Sequence, residues 1–120
     1  MTFQRQSLGK MGEELARKFL LRQGYKIIQC NFRTRNGEID IVAREGNTLI
    51  FVEVKTRSDG RFGSPFEAVT AGKQRKISMV ALEYLVAHGG PDQSCRFDVV
   101  SVRPGENPEV EIIRNAFEIN

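Results

Sequence analysis

The sequence is poor in the residues on which several common types of chemistry depend. Its single histidine, His88, makes a histidine-based nuclease or a Ser-His hydrolase a poor fit. The two cysteines, Cys30 and Cys95, have no C-x-x-C spacing and no histidine nearby, which predicts buried thiols in a reducing compartment rather than a disulfide or a zinc site. No apolar run reaches transmembrane length, and the N-terminus lacks the apolar core of a signal peptide. A cytoplasmic protein is therefore expected.

The composition is that of an ordinary globular protein. The chain has 120 residues, of which 40% are hydrophobic and 28% are charged, so a single domain spanning residues 1–120 with one core is expected. The formal net charge of +3 is mildly basic. Such a charge permits a polyanionic partner but does not require one.

The periodicity of apolar residues predicts an α/β fold, with a mixed sheet flanked by helices. Helices are predicted over residues 7–23, with Ser7 as N-cap and Gly24 as the stop, and over residues 73–88. A short helical turn is expected at 66–69. Strands are predicted over residues 25–33, over the two arms of a hairpin between 37 and 55, and over 96–102 and 110–119.

The hairpin carries acidic residues where a core strand should carry none. A two-residue turn at Gly46-Asn47 would set Glu45 opposite Thr48 and, counting outward, Asp40 opposite Glu53. Residues directly opposite share a face of the sheet, with β-carbons roughly 4.5–5.5 Å apart. Because side chains alternate along a strand, Lys55 lies on the same face as Glu53. The sequence therefore predicts two carboxylates and an ammonium group at one spot.

Two carboxylates this close repel one another, and burial strengthens the repulsion. A shared proton, the ammonium of Lys55, or a bound divalent cation would relieve it. Oxygen ligands on a half-open site favour Mg²⁺ or Mn²⁺. The simpler alternative is a solvated strand face on which Asp40 pairs with Lys55.

Glu13 is the third candidate acid. At about 100° per residue, Glu13 borders the apolar stripe of the first helix, whereas Glu14 lies on the far side, facing water. A carboxylate at the edge of the packed face can reach a neighbouring sheet. The alternative is a partly buried glutamate whose stem covers apolar surface.

Basic residues are placed where they could contact a nucleic acid. Positive charge is disfavoured at a helix N-terminus, and phosphate would resolve the conflict at the start of the second long helix. A solubilising cationic face is the alternative. The candidate nucleic-acid-binding residues are Arg33, Arg35, Arg57, Arg61, Lys73, Arg75 and Lys76. Asp98 is expected to pair with Arg96 or a loop and not to join the acidic site.

These residues carry a family resemblance. Glu13, Asp40 and the triplet Glu53-Val54-Lys55 resemble the PD-(D/E)xK nuclease superfamily, and their spacing is similar to that of the archaeal Holliday-junction resolvases. Residues 7–102 resemble the uncharacterised bacterial YraN-like family still more. The matching stretches are residues 12–16, 24–25, 31–33, 37–40, 51–57 and 96–98.

The resemblance implies a restriction-endonuclease-like fold and a magnesium-dependent phosphodiesterase site. Asp40 and Glu53 would hold Mg²⁺ or Mn²⁺, Glu13 would hold it directly or through water, and Lys55 would orient or activate the attacking water. Beyond Lys55 the sequence departs from the resolvases, so junction specificity and the resolvase dimer do not carry over.

Three functions follow as hypotheses. The first is a metal-dependent nuclease acting on DNA, with branched or damaged DNA as candidate substrates. The second is a nucleic-acid-binding protein, with DNA favoured over RNA, that keeps the fold without cutting. The third is a structural component of a larger complex. A homodimer and a protein partner both stay open.

Overall fold

The computed structural model describes residues 2–57, 69–90 and 92–118, with side chains from residue 9 onward. In chain order the elements are α1 (Thr2–Arg22), β1 (Lys26–Thr34), β2 (Gly37–Glu45), β3 (Thr48–Thr56), α2 (Ala71–Tyr84), β4 (Cys95–Arg103) and β5 (Glu109–Phe117). A π-helical turn, Leu85–Gly89, continues α2. The predicted order of helices and strands is confirmed. The predicted turn at 66–69 lies outside the described residues except for Val69, which is buried.

The five strands form one mixed sheet in the order β1-β2-β3-β4-β5. Neighbouring strands are antiparallel except β3 and β4, which are parallel. A parallel pair needs a crossover connection, and α2 lies within it. The mixed α/β arrangement expected from the sequence is therefore confirmed.

The two helices pack on opposite faces of the sheet. The core on the α1 side joins helix residues such as Ala16 and Leu20 to Ile50 and Val52 of β3. The core on the α2 side joins Ile77, Val80 and Tyr84 to Leu49 and Phe51 of β3. Because side chains alternate along β3, Glu53 and Lys55 continue the row that faces α2. This alternation decides which helix can reach the acidic residues.

The first helix begins earlier than predicted and ends where predicted. Ser7 lies inside α1 and is not its N-cap, since residues 2–6 contain no glycine or proline to stop the helix. Gly24 has a φ of 93°, the left-handed conformation typical of a helix C-terminus. The amide of Tyr25 donates to the carbonyl of Leu20 at 2.9 Å and closes the turn.

The other boundaries differ from the predictions by small amounts. The second helix begins at Ala71, two residues before Lys73, because the hydroxyl of Thr70 accepts a hydrogen bond from the Lys73 amide and caps it. Both cysteines are free, as predicted, but each is half-buried. No helix in the described ranges is long and apolar enough to cross a membrane.

Candidate active site

The β2–β3 hairpin forms in the predicted register. Glu45 pairs with Thr48 across the Gly46-Asn47 turn, and the ladder continues to the pair Ile41 and Val52. Asp40 and Glu53 come next in this register. At this point the amide of Val54 donates a hydrogen bond to Oδ2 of Asp40 at 2.8 Å, so a side-chain oxygen and not a backbone carbonyl accepts it. The carboxylate of Asp40 is thereby fixed beside β3.

Asp40 lies in an unfavourable place for a charged carboxylate. Burial, and next the negative charge of Glu53, raise its pKa from 3.8 to about 8, although the hydrogen bond from Val54 acts in the opposite direction. The proximity of the two carboxylates predicted from the hairpin register is therefore reflected in the electrostatics. Neutralisation of this pair by a cation or a proton would relieve the cost.

Glu53 has a partner that the sequence did not reveal. The ammonium Nζ of Lys73, on α2, lies 2.6 Å from Glu53 Oε1, and the side chain of Glu53 is only 11% exposed. Burial acts to lower the pKa of Lys73, but the hydrogen bond and charge of Glu53 outweigh it and the pKa is raised. Lys73, predicted as a phosphate contact, thus lies inside the acidic site.

Lys55 completes the group from the β3 side. Burial lowers its pKa, and the positive charge of Lys73 lowers it further, whereas Glu53 and Asp40 act in the opposite direction. A lysine with a lowered pKa releases its proton more readily and can serve as a base or hold a water molecule. The structure therefore brings Asp40, Glu53, Lys55 and Lys73 together.

Glu38 is a further acid near Asp40, and it is not among the site residues predicted from the sequence. It lies close enough to Asp40 to contribute to the raised pKa of that residue, and it forms an ion pair with Arg33. Ile39 packs in the core on the α2 side and Ile41 in the core on the α1 side, so the alternation of side chains along β2 is interrupted near Asp40. Strict alternation therefore does not predict on which side Glu38 lies.

The predicted role of Glu13, to hold the metal directly or through water, stays a prediction. Glu13 is half-buried and Glu14 is exposed, as predicted. However, no group of three or more His, Cys, Asp or Glu side chains within the described part of the chain is arranged to hold a metal ion. Besides its ion pair with Glu38, Arg33 is affected by the charge of Glu13, which helps to raise the pKa of Arg33.

The other predicted basic residues that the structure describes lie in different surroundings. Arg33 is paired with Glu38, and Arg35 is exposed in the turn between β1 and β2. Arg57 is half-buried, and its amide donates to the carbonyl of Val102 at 2.8 Å. Arg61 lies outside the described residues.

Arg75 and Lys76 are both exposed on α2. Arg75 lines a surface cavity of about 390 Å³ together with Met79 and Leu82. It therefore lies on a different side of the helix from Lys73, which contacts Glu53. Only Lys73 of the three basic residues in this helix reaches the carboxylates.

Asp98 belongs to a separate network, as predicted. Its side chain accepts hydrogen bonds from Tyr25 Oη at 2.7 Å and from Arg96 Nε at 3.1 Å. It also accepts one from the amide of Asn115 at 2.9 Å, at a bulge in β5. Asp98 is 1% exposed, and each of its carboxylate oxygens has a partner. This network holds elements together and offers no open position to a ligand.

The donors at the acidic site fit a hydrated Mg²⁺ or Mn²⁺ ion. The pKa of Asp40 is raised by burial and next by the charge of Glu53, so a bound cation would stabilise its charged form. Mg²⁺ in proteins commonly binds one or two carboxylates and keeps several waters. Asp40 and Glu53 would supply these carboxylates, with Glu38 in reach of Asp40.

Comparison with known proteins identifies the family. A UPF0102 protein of Geobacter metallireducens is 52% identical over 120 residues, which cover 99% of this chain and 98% of that protein. A UPF0102 protein of Symbiobacterium thermophilum is 49% identical over 92% of this chain and 95% of its own length. The profile of the uncharacterised protein family UPF0102 matches residues 12–102. The chain therefore belongs to the UPF0102 family, the YraN-like family that its sequence resembles.

Proposed function

We propose that this chain is a Mg²⁺- or Mn²⁺-dependent nuclease that hydrolyses DNA phosphodiester bonds. The observation that carries the proposal is the convergence of Asp40, Glu53 and Lys55 at the place where the β2–β3 ladder ends. A purely structural hairpin has no need of two repelling, partly buried carboxylates, since apolar residues would be more stable there. The mixed sheet flanked by helices also supports a restriction-endonuclease-like fold.

Each residue has a role in this proposal. Asp40 and Glu53 bind the cation, which supplies Lewis-acid stabilisation of the phosphate when it is bound. Asp40 is held for this task by the amide of Val54. Lys55 orients or activates the attacking water. Glu13 would hold the cation directly or through water, as the family resemblance implies.

Contacts to the substrate backbone would come from exposed basic side chains. Arg35 and Lys76 are exposed on the elements that flank the carboxylates. Such residues contact phosphates and carry little sequence information, so the proposal includes structure-dependent substrates such as branched or damaged DNA.

The test is a cleavage assay on supercoiled, single-stranded and four-way DNA with Mg²⁺ or Mn²⁺, and on RNA as a comparison. Asp40→Asn, Glu53→Gln and Lys55→Ala should each lower the rate by about 100-fold or more, because each removes a group that acts in the transition state. EDTA should abolish cleavage. Glu109→Gln, an exposed acid paired with Arg103, is the matched control and should keep full activity.

Equal cleavage by all four variants would assign the activity to a contaminant and end the proposal. Every variant must pass through the same purification, and its circular dichroism spectrum should match that of the wild type. A substrate preference among the DNA forms would then define the specificity.

A non-catalytic nucleic-acid-binding protein is the second candidate. The observation that favours it is the ion pair between Lys73 and Glu53 at 2.6 Å, which provides a counter-charge to Glu53 without any metal. In that case the wild type would bind DNA with a strong dependence on salt but would cleave none of the substrates in either metal.

A further inference from the structure

Lys73 is held over the acidic site by the start of α2. Thr70 caps this helix, with its Oγ1 accepting from the Lys73 amide at 3.2 Å and its carbonyl accepting from the Gln74 amide at 2.8 Å. Gln74 Nε2 also donates to the carbonyl of Val69, which is buried. These bonds order the first turn and direct the stem of Lys73 toward β3. The position of its ammonium on Glu53 is therefore built into the fold.

The ammonium occupies a coordination position of Glu53. Lys73 Nζ lies 2.6 Å from Glu53 Oε1, and the side chain of Lys73 is 36% exposed, so the head group is accessible from solvent. A cation that binds Asp40 and Glu53 together needs an oxygen of Glu53 and places a second positive charge beside this ammonium. The cation and the ammonium of Lys73 therefore compete for Glu53, because like charges at such distances repel.

When a cation takes its place at Glu53, the ammonium of Lys73 loses its ion-pair partner and becomes available to another anion. Lys73 lies in the first turn of α2, where the helix dipole disfavours positive charge. The second lysine, Lys55, already lies close to it. An anion such as a phosphate group satisfies both the ammonium and the helix N-terminus. The geometry thus couples arrival of the cation to release of a phosphate-binding group.

We infer that Lys73 is a resident counter-ion of Glu53, which a divalent cation displaces and which then binds the substrate phosphate. This inference rests on the proposed function, because it concerns the same carboxylates. Lys73 keeps the site neutral before the metal binds, weakens metal binding in the absence of substrate, and strengthens phosphate binding once the metal is present.

The experiment is calorimetric titration of the full chain with Mn²⁺ alone. Lys73→Met removes the charge and keeps the apolar stem, so it should bind Mn²⁺ about tenfold more tightly than the wild type, since a competing charged hydrogen bond is lost. Lys73→Arg restores the ion pair and should bind as the wild type does. Lys76→Met, an exposed lysine in the same helix turn, is the matched control and should leave the affinity within about twofold.

Two further measurements follow the ammonium itself. In protein whose lysines carry ¹³C-methyl groups, the NMR signal of Lys73 is the one that is absent from the spectrum of Lys73→Arg. This signal should move toward the position of an exposed lysine when Mg²⁺ is added. At saturating Mn²⁺, Lys73→Met should cleave DNA with a kcat/KM about tenfold lower, despite its tighter metal binding, because a phosphate contact is lost. If Lys73 only competed with the metal, kcat/KM at saturating Mn²⁺ would be the same in Lys73→Met and the wild type, which would refute the phosphate contact.

The outcomes separate this inference from the proposed function. If the wild type binds Mn²⁺, Asp40→Asn does not, and Lys73→Met binds no more tightly, the role of Lys73 is refuted and the metal site stands. If Lys73→Met binds Mn²⁺ and the wild type does not, the displacement of Lys73 by the cation is supported. If neither the wild type nor Lys73→Met binds Mn²⁺ up to millimolar concentrations, the metal site and the role of Lys73 are both refuted.

Discussion

At the scale of single residues, the site is defined by one carboxylate whose surroundings oppose its charge. Asp40 accepts a hydrogen bond from the Val54 amide, yet burial and Glu53 raise its pKa to about 8. A backbone donor alone does not offset the loss of water and the neighbouring negative charge. The folded protein therefore favours the protonated form of Asp40, and the titration of this residue affects the stability of the folded protein.

Asp40 makes the stability of the metal-free protein fall as the pH rises. The folded state keeps a proton that the unfolded state releases between about pH 4 and pH 8, so the free energy of unfolding decreases across that window and levels off above it. Asp40→Asn stays neutral and keeps an acceptor for Val54, so its decline should be smaller. At pH 8 it should be more stable than the wild type by at least about 1 kcal/mol.

Urea unfolding at pH 5, 6, 7 and 8 in the presence of EDTA measures this effect. Glu14→Gln, which removes an exposed acid paired with Lys18, is the control and should follow the wild-type curve. A pH dependence that is identical in wild type and Asp40→Asn would contradict the close approach of the two carboxylates.

At the scale of elements, the contact between α1 and β3 depends on a missing side chain. A β-carbon added to Gly12 would lie 2.0 Å from Oγ1 and 3.0 Å from Cβ of Thr56, so only glycine lets the helix lie this close to the end of β3. The sequence does not predict this close approach. It shows Gly12 only as the first residue of a stretch, 12–16, that resembles the YraN-like family. The apolar stripe of the helix predicted which face packs but not how near it comes.

Gly12→Ala should destabilise the protein by about 1–3 kcal/mol, because the added methyl group must push the helix or Thr56 aside. Gly9→Ala in the same helix is a matched control, since no atom lies within 4 Å of its added β-carbon. That substitution should stabilise the protein by about 0.5–1 kcal/mol, the usual gain for alanine over glycine in a helix. Thermal and urea unfolding measure the stability of both variants. Equal changes in the free energy of unfolding would disprove the close contact between Gly12 and Thr56.

At the scale of the whole molecule, a buried polar network fastens elements that are distant in the sequence. Tyr25 follows α1, Asp98 and Arg96 lie on β4, and Glu45 ends β2, where Arg96 Nη2 donates to its Oε1 at 3.0 Å. The network lies on the α1 side of the sheet, whereas Glu53 is paired from the α2 side. The α1 side of the sheet thus carries the polar network that connects the elements, and the α2 side carries the candidate active site.

Asp98→Ala should lower the free energy of unfolding by about 3 kcal/mol, because the Tyr25 hydroxyl and the Asn115 amide lose their acceptor and Arg96 loses a buried partner. Glu109→Ala, which breaks the exposed pair with Arg103 on the neighbouring strand, should cost less than about 1 kcal/mol. Urea unfolding at constant pH compares the two. A loss below about 1 kcal/mol for Asp98→Ala would show that the network is structurally dispensable.

The sequence by itself determined the features that depend on local spacing. The Gly46-Asn47 turn and the alternation of β-strand side chains were enough to place Asp40 near Glu53, and helical periodicity was enough to separate Glu13 from Glu14. These inferences hold because a turn and a pleat are set by neighbouring residues and leave little freedom of register.

Only the tertiary structure decided what the two helices bring to the sheet. The crossover between the parallel strands β3 and β4 puts α2 on the face that carries Glu53, and so brings Lys73 to it, whereas α1 covers the other face. The periodicity of apolar residues predicts which side of a helix is buried, but it does not predict against which face of the sheet the helix packs. Long-range packing of apolar surface determines that face, and the spacing of residues along the chain does not predict it.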